Sequence, residues 1–197
     1  FLRFLADAGQ SWWQVLPVGP TDRSGSPYYS PSAFAGNPLL ISLEVLSQHG
    51  LLTRREIAPD PALRRRTRVH YAAVADYKFA RLRKAFARFE RRRARSDFEA
   101  FRASTRRWLD DYALFGALKQ AHRGAAWTEW DAELRRRRSA ALTAARRRLR
   151  DEIQYHRVVQ FLFWQQWTAL RERARRDRIG LIGDLPIFIA HDSAEVW

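Results

Sequence analysis

Trp12-Trp13-Gln14-Val15-Leu16-Pro17-Val18-Gly19-Pro20 opens with a bulky apolar run and stops on a proline. That pattern predicts a short buried parallel strand over Trp12–Leu16, since a strand covered on both faces carries no polar alternation. The same pattern returns 167 residues later, as Ile179-Gly180-Leu181-Ile182-Gly183-Asp184, with a carboxylate at the far end. Each strand follows a helical stretch. Leu2, Leu5 and Ala6 form one stripe that Ala8-Gly9 closes, and the second helix closes in the charged segment Arg173 to Arg178. Helix–strand–loop, then helices, then helix–strand–loop is the rhythm of a βα architecture with a helical insertion.

Between the strands the chain reads as helical and arginine-rich. Phe79, Leu82, Phe86 and Phe89 repeat at helical spacing. Ser96 followed by Glu99 predicts a capping box opening a helix that carries Phe98, Phe101 and Trp108. A further stretch carries Leu114, Phe115 and Leu118, with Gly124 placed to end it. From about residue 134 a long pattern runs through Leu142, Leu149, Ile153, Phe163, Trp167 and Leu170, with a break. The chain therefore divides into residues 1–40, 41–150 and 151–197.

Composition narrows the function classes. Nearly half of the 197 residues are apolar, with eight Trp and twelve Phe, which supports a packed core and argues against disorder. No run of about eighteen apolar residues offers a membrane span. With no Cys there is no thiolate metal site, disulfide framework or cysteine nucleophile. The formal charge of +15 invites a nucleic-acid or acidic partner. Yet lysine occurs only at 78, 84 and 119, an arginine bias that a G+C-rich genome also produces. The runs Arg64–Arg66, Arg91–Arg93, Arg135–Arg138 and Arg146–Arg148 lie between apolar stripes and are expected on solvated helix faces. A face that binds anions or RNA is the alternative. The opening segment lacks an initiator Met and is too short and charged for a signal peptide, so a cytoplasmic setting is expected.

In βα barrels the functional groups gather at the carboxyl ends of the strands. Asp184 ends the second strand, so it faces a cleft or caps its loop. Tyr28, in the loop after the first strand, offers a flat apolar face and a hydroxyl, the combination that sugars need; packing the loop down is its other reading. His122 and His191 have no partners at metal-ligand spacing, so no metal is expected.

Trp13-Gln14-Val15-Leu16-Pro17-Val18-Gly19-Pro20-Thr21, Ser26-Pro27-Tyr28-Tyr29-Ser30 and Ser32-Ala33-Phe34-Ala35-Gly36-Asn37-Pro38-Leu39-Leu40-Ile41 resemble the 4-alpha-glucanotransferase family of the amylomaltase type, glycoside hydrolase family 77. Gly183-Asp184-Leu185-Pro186-Ile187-Phe188-Ile189-Ala190-His191-Asp192-Ser193-Ala194-Glu195-Val196-Trp197 is similar to a second segment of that family. Trp108–Phe115 and Phe161–Trp167 resemble it as well. The resemblance implies an α/β fold: a partial (β/α)8 TIM barrel, second and third strands, with a large all-helical insertion. It implies transfer between malto-oligosaccharides and other alpha-1,4-glucans, without a cofactor, by retaining double displacement on an Asp. Carried over by motif, Tyr28 becomes the aromatic platform under the glucose, Asp184 a carboxylate binding its hydroxyls, and Ser26 a more distant contact. Trp13, Phe34, Asn37 and Pro38 carry over as scaffold.

The same resemblance puts the first strand before Phe1 and the nucleophile and acid/base beyond Trp197. The chain alone is then expected to be inactive and poorly soluble, and Asp192 and Glu195 are not candidates for those roles. Arg23 stands where some relatives carry an aromatic of a secondary glucan site, and His70 replaces a common Asp. Other readings are a truncated carbohydrate-binding remnant, an Arg-rich helical module for acidic partners, and a hydrolytic relative.

Overall fold

The computed structural model describes residues 1–21, 25–59, 68–92, 95–185 and 188–197. Arg23, Arg64–Arg66, Arg93, Pro186 and Ile187 lie outside the described residues. Among the described residues the fold is mostly helical, with a two-stranded sheet. Helix α1 (Leu2–Asp7) leads into β1 (Trp12–Gln14), then come α2 (Leu43–Gln48), α3 (Tyr71–Glu90) and α4 (Ser96–Ala121). Short helices α5 (Ala132–Arg135) and α6 (Ser139–Arg148) precede α7 (Arg150–Arg176) and β2 (Gly180–Ile182).

The two runs pair as expected. β1 and β2 lie parallel, with Trp13 opposite Leu181. The strand is shorter than predicted: it ends at Gln14, though Val15 N–H still donates to Ile182 C=O at 2.9 Å. It is also not buried on both faces. Trp13, Leu181 and Leu5 pack with Leu2, Leu170, Ala174 and Ile179, so α1 and the end of α7 cover one face. Trp12 is 65% exposed, and Leu16, Ile182, Leu185 and Phe188 are exposed too. The bare apolar residues adjoin a sheet that has two strands among the described residues. Gly9 adopts φ +69, the left-handed turn that Ala8-Gly9 was expected to supply.

Two helical expectations need correction. Residues 98–118 form one helix, not two, since no Gly or Pro interrupts the run between Trp108 and Leu114; the Ser104 and Thr105 hydroxyls, which could compete with the backbone, turn back to the Phe101 carbonyl at 2.9 and 2.6 Å. The capping box is not formed either. Ser96 is already the first helical residue, and its hydroxyl reaches Asp97 at 3.3 Å instead of a backbone N–H. Asp97 and Glu99 still place negative charge in the first turn, where the helix dipole favours it. The expected break in the long pattern falls at Leu149, which lies at φ −105 between α6 and α7. On α3, Leu82 and Phe89 are buried but Phe79 is exposed.

Helix α7 organises the molecule. Its first half joins two apolar clusters: Phe161 meets Phe98 at 5.4 Å and Phe89 at 5.8 Å, while Ile153 sits with Leu114, Leu118 and Trp130. Phe98 is fully covered there. Many arginines tie elements together: Arg88 to Glu56, Arg137 to Asp111, and Arg157 to Asp110. Arg83 pairs with Glu152 and lies 3.5 Å over the Tyr155 ring. Arg91, Arg92 and Arg146 to Arg148 are exposed, as a solvated face requires.

Gly116 of α4 admits His156 of α7, since a Cβ there would stand 2.8 Å from the imidazole. Burial pushes His156 down to about 4, and Glu152, 3.7 Å away, offsets this only in part; Arg83 adds to the downward shift. The folded chain thus keeps His156 neutral at pH values where the unfolded chain takes up a proton. Stability is then lost as pH falls from about 6.5 to about 4 and levels off below. The loss is about 3 kcal/mol as a ceiling, because 20% of the side chain remains accessible. Chemical denaturation across that range checks it: His156→Gln is expected to remove this step.

Candidate functional site

The loop after β1 doubles back on itself. Asn37 N–H donates to Val18 C=O at 2.8 Å, and the Asn37 side chain caps the 3-10 turn Pro38–Leu40 through Leu39 N–H. Buried Ser30 anchors the inside, its hydroxyl 2.8 Å from the Pro20 carbonyl. Gly19 passes so close that a Cβ would stand 3.2 Å from that hydroxyl. The loop after β2 is stitched alongside: Ala190 N–H donates to Ser30 C=O, and Ala194 N–H to Pro31 C=O, both at 3.0 Å.

That stitching brings two distant candidates together. The Tyr28 hydroxyl donates to Asp184 Oδ2 at 2.7 Å, across 156 residues of sequence. The bond holds the Tyr28 phenol above its ordinary pKa, because the neighbouring carboxylate accepts the phenolic proton and opposes its loss. Tyr28 is 44% exposed and Asp184 half-buried, so ring face and carboxylate are both open to a ligand. Ser26 accepts from Tyr28 N–H at 3.3 Å and thereby shapes the turn under the ring.

Two residues that sequence reasoning missed hold the loop against α7. Gln160 accepts from Gly36 N–H at 2.8 Å and donates to Gly36 C=O at 2.9 Å. Six residues further along α7, Gln166 does the same for Ser42, at 2.7 and 3.1 Å. Each amide copies the donor and acceptor pair of a neighbouring strand. The available signal was Gln160 itself, a polar residue inside Val158-Val159-Gln160-Phe161-Leu162. Lys78 adds a third tie, donating to the carbonyls of Leu39 and Ile41 at 2.6 and 2.7 Å.

The other singled-out groups have structural partners. Asp192 accepts from Lys119 at 2.5 Å and from Trp127 N–H at 3.1 Å, and Glu195 takes the Ser32 hydroxyl at 2.6 Å. His191 stacks on Trp127 and His122 on Trp130, each with centroids 5.3 Å apart. His70 caps α3 by accepting from Ala73 N–H at 3.3 Å. Trp13 packs edge-on against Phe1, and Phe34 stacks on Trp108. Among the described residues no group of His, Cys, Asp and Glu could hold a metal, and no helix is long and apolar enough to cross a membrane.

A family model described as 4-alpha-glucanotransferase, glycoside hydrolase family 77, matches residues 1–197. The chain belongs to this 4-alpha-glucanotransferase family. A 4-alpha-glucanotransferase of Thermus thermophilus is 47% identical over 200 residues, covering 100% of this chain and 39% of the relative. One from Synechocystis is 43% identical with the same coverage. Amylomaltase from Streptococcus agalactiae, solved in complex with acarbose, superposes with a TM-score of 0.91 at 35% identity, over 100% of this chain and 40% of that one. Amylomaltase from Corynebacterium glutamicum, at 17% identity and a TM-score of 0.69, shares the fold over 99% of this chain and 28% of its own. This family member thus spans about two-fifths of the length of its curated relatives.

Proposed function

We propose that this chain supplies part of the glucose-binding wall of a 4-alpha-glucanotransferase that moves alpha-1,4-glucan segments between malto-oligosaccharides. The Tyr28–Asp184 hydrogen bond of 2.7 Å carries the reading. It joins an aromatic face to a carboxylate just past two paired parallel strands, where βα barrels keep their functional groups. β1 and β2 are then the second and third strands of a (β/α)8 barrel, and residues 41–150 a helical insertion into it. The exposed apolar residues beside the sheet support that arrangement, since further barrel elements would cover them.

In this reading the sugar stacks its C–H face on Tyr28. Asp184 keeps one oxygen on the phenol and turns its remaining lone pairs to two sugar hydroxyls. Ser26 contributes by fixing the turn that presents the ring. Retaining transfer needs two further carboxylates, a nucleophile and an acid/base. These are expected from the length of the relatives that this chain does not span, and Asp192 and Glu195 are occupied in holding loops.

Titration of the chain with acarbose, the ligand of the S. agalactiae structure, tests this. Tyr28→Ala is expected to weaken binding about 10- to 100-fold, the loss of one buried ring face. Binding should hardly change from about 50 mM to 200 mM salt, because sugars release no counterions. Binding that ignores Tyr28 and falls steeply with salt would instead favour an arginine-rich surface for acidic partners.

A further inference from the structure

Lysine is rare in this chain: three of the 36 basic side chains, at 78, 84 and 119, in a sequence that otherwise uses arginine. Lys84 does what an arginine would do. It lies 3.5 Å from Glu56 with an exposed side chain, beside the Arg88 pair to the same carboxylate. Lys78 and Lys119 are different. Each ammonium converges on main-chain carbonyls, and each holds one of the two loops that carry Tyr28 and Asp184.

Lys78, on α3, donates to the carbonyls of Leu39 and Ile41 at 2.6 and 2.7 Å. These carbonyls lie at the far end of the loop after β1, which Asn37 N–H closes on Val18 C=O at 2.8 Å. Among the described residues the lysine ion pairs are those of Lys84 and Lys119, so Lys78 directs its charge to carbonyls alone. Burial lowers its pKa, and the charge of Glu44 on α2 offsets this in part. A half-buried ammonium with no ion pair is costly to desolvate, and here the two carbonyls offset that cost.

Lys119, on α4, uses all three ammonium hydrogens. It donates to the carbonyls of Gly124 and Ala125 at 2.8 and 2.9 Å and to Asp192 Oδ2 at 2.5 Å. Three acceptors around one point suit a tetrahedral ammonium and not the planar fork of a guanidinium. Asp192 lies in the loop after β2, and the adjoining His191 carbonyl accepts from Trp127 Nε1–H at 2.8 Å. Two residues earlier, Ala190 is stitched to Ser30 of the other loop. Helices α3 and α4 both pack on α7, so the two loops hang from one frame.

We propose that Lys78 and Lys119 are positioning residues, through which α3 and α4 set the placement of the Tyr28 ring against the Asp184 carboxylate and thereby the affinity for a sugar bound there. A binding wall works when it is held to within about 0.5 Å, by groups that need not touch the ligand. That the ligand is an alpha-glucan rests on the function proposed above.

The absence of cysteine allows a direct test. Lys78→Cys and Lys119→Cys each remove an ammonium, and alkylation of the single thiol with 2-bromoethylamine restores one at nearly the original reach. Acarbose is expected to bind each cysteine variant at least about tenfold more weakly, as loss of charge-assisted bonds implies, and each alkylated variant within about twofold of wild type. Lys84→Cys should bind as wild type does. In a Tyr28→Ala background Lys78→Cys should cost little more, because positioning acts through that ring, whereas general destabilisation would add. Without sugar, hydrogen exchange should quicken at Asn37 N–H in Lys78→Cys and at Ala190 N–H in Lys119→Cys, with Leu114 and Leu162 unchanged. Cysteine variants that bind as wild type, or weak binding that alkylation does not restore, overturn the proposal and leave the Tyr28–Asp184 site standing. If wild type binds no acarbose, the function proposed above fails and exchange decides alone: unchanged Asn37 and Ala190 amides overturn the lysine frame. Should a cysteine variant fail to fold, Lys78→Arg and Lys119→Arg keep the charge without the tetrahedral donors. The same loss is expected of them, and wild-type binding overturns the proposal.

Discussion

Asp184→Ala, placed in a chimera that carries residues 1–197 in the matching stretch of the Thermus thermophilus relative, is expected to lower glucan transfer by about 10²- to 10⁴-fold in kcat/KM. The size follows from hydrogen bonds to a charged group, each about 1.5–3 kcal/mol, when the carboxylate, already bonded to the Tyr28 phenol in the free chain, engages two sugar hydroxyls. Losing two such bonds removes about 3–6 kcal/mol, and each 1.4 kcal/mol is tenfold. Asp184→Asn keeps the shape and one acceptor and should fall between wild type and alanine. Tyr28→Phe keeps the ring and loses only the bond to Asp184, so about a tenfold loss is expected. Steady-state disproportionation of maltotriose reads all three. An Asp184→Ala chimera with nearly full activity would remove Asp184 from the sugar-binding wall.

Gln160→Ala carries the second large effect. Gln160 is 2% exposed, and its amide satisfies both backbone groups of Gly36. Deleting it leaves a buried N–H and a buried C=O unpaired, at about 1–3 kcal/mol each. A total of about 2–6 kcal/mol, at about 2–4 °C per kcal/mol for a chain of this size, lowers the melting temperature by about 4–24 °C. Gly36→Ala should act on the same contact from the other side, because a Cβ there would collide with the Phe163 ring. Both variants are expected to raise hydrogen exchange in the loop from Ser30 to Ile41 before they affect α3. Equal protection of that loop in wild type and Gln160→Ala would mean that other ties, such as Lys78 and Gln166, carry the loop unaided.

The strands were legible because their signals are local. Bulky residues ending on Pro17, and Ile179–Ile182 ending on Gly183-Asp184, identify two short strands without any knowledge of partners. Their exposed outer faces were not legible, since Trp12 and Leu16 read as buried from type alone and only their neighbours determine how covered they are. The Ser96 cap failed by a single position, where the helix begins one residue earlier than the side-chain pattern suggested. The stripe carrying Phe98, Phe101 and Trp108 and the stripe carrying Leu114, Phe115 and Leu118 read as two stretches, yet no Gly or Pro stands between Trp108 and Leu114 and the helix runs on from Ser96 to Ala121.

At the site, Tyr28 and Asp184 came from residue type, strand-end position and family motif, but nothing in their spacing announces a hydrogen bond between them. That bond depends on the loop stitching at Ser30 and Pro31, which forms only when the chain closes. The glutamine clamps were hidden for the same reason: Gln160 and Gln166 each bond a residue 124 positions away. Gln160 nonetheless stood out as a polar residue in an apolar stripe, a pattern that asks for a buried partner.

The most direct test is a crystal structure of the chimera with acarbose bound. A sugar ring lying on the Tyr28 face at about 3.5–4.0 Å, with a hydroxyl within about 2.5–3.0 Å of an Asp184 oxygen, is the expected result. Acarbose bound with no contact to either residue, and Asp184 still bonded to Tyr28 alone, would contradict it.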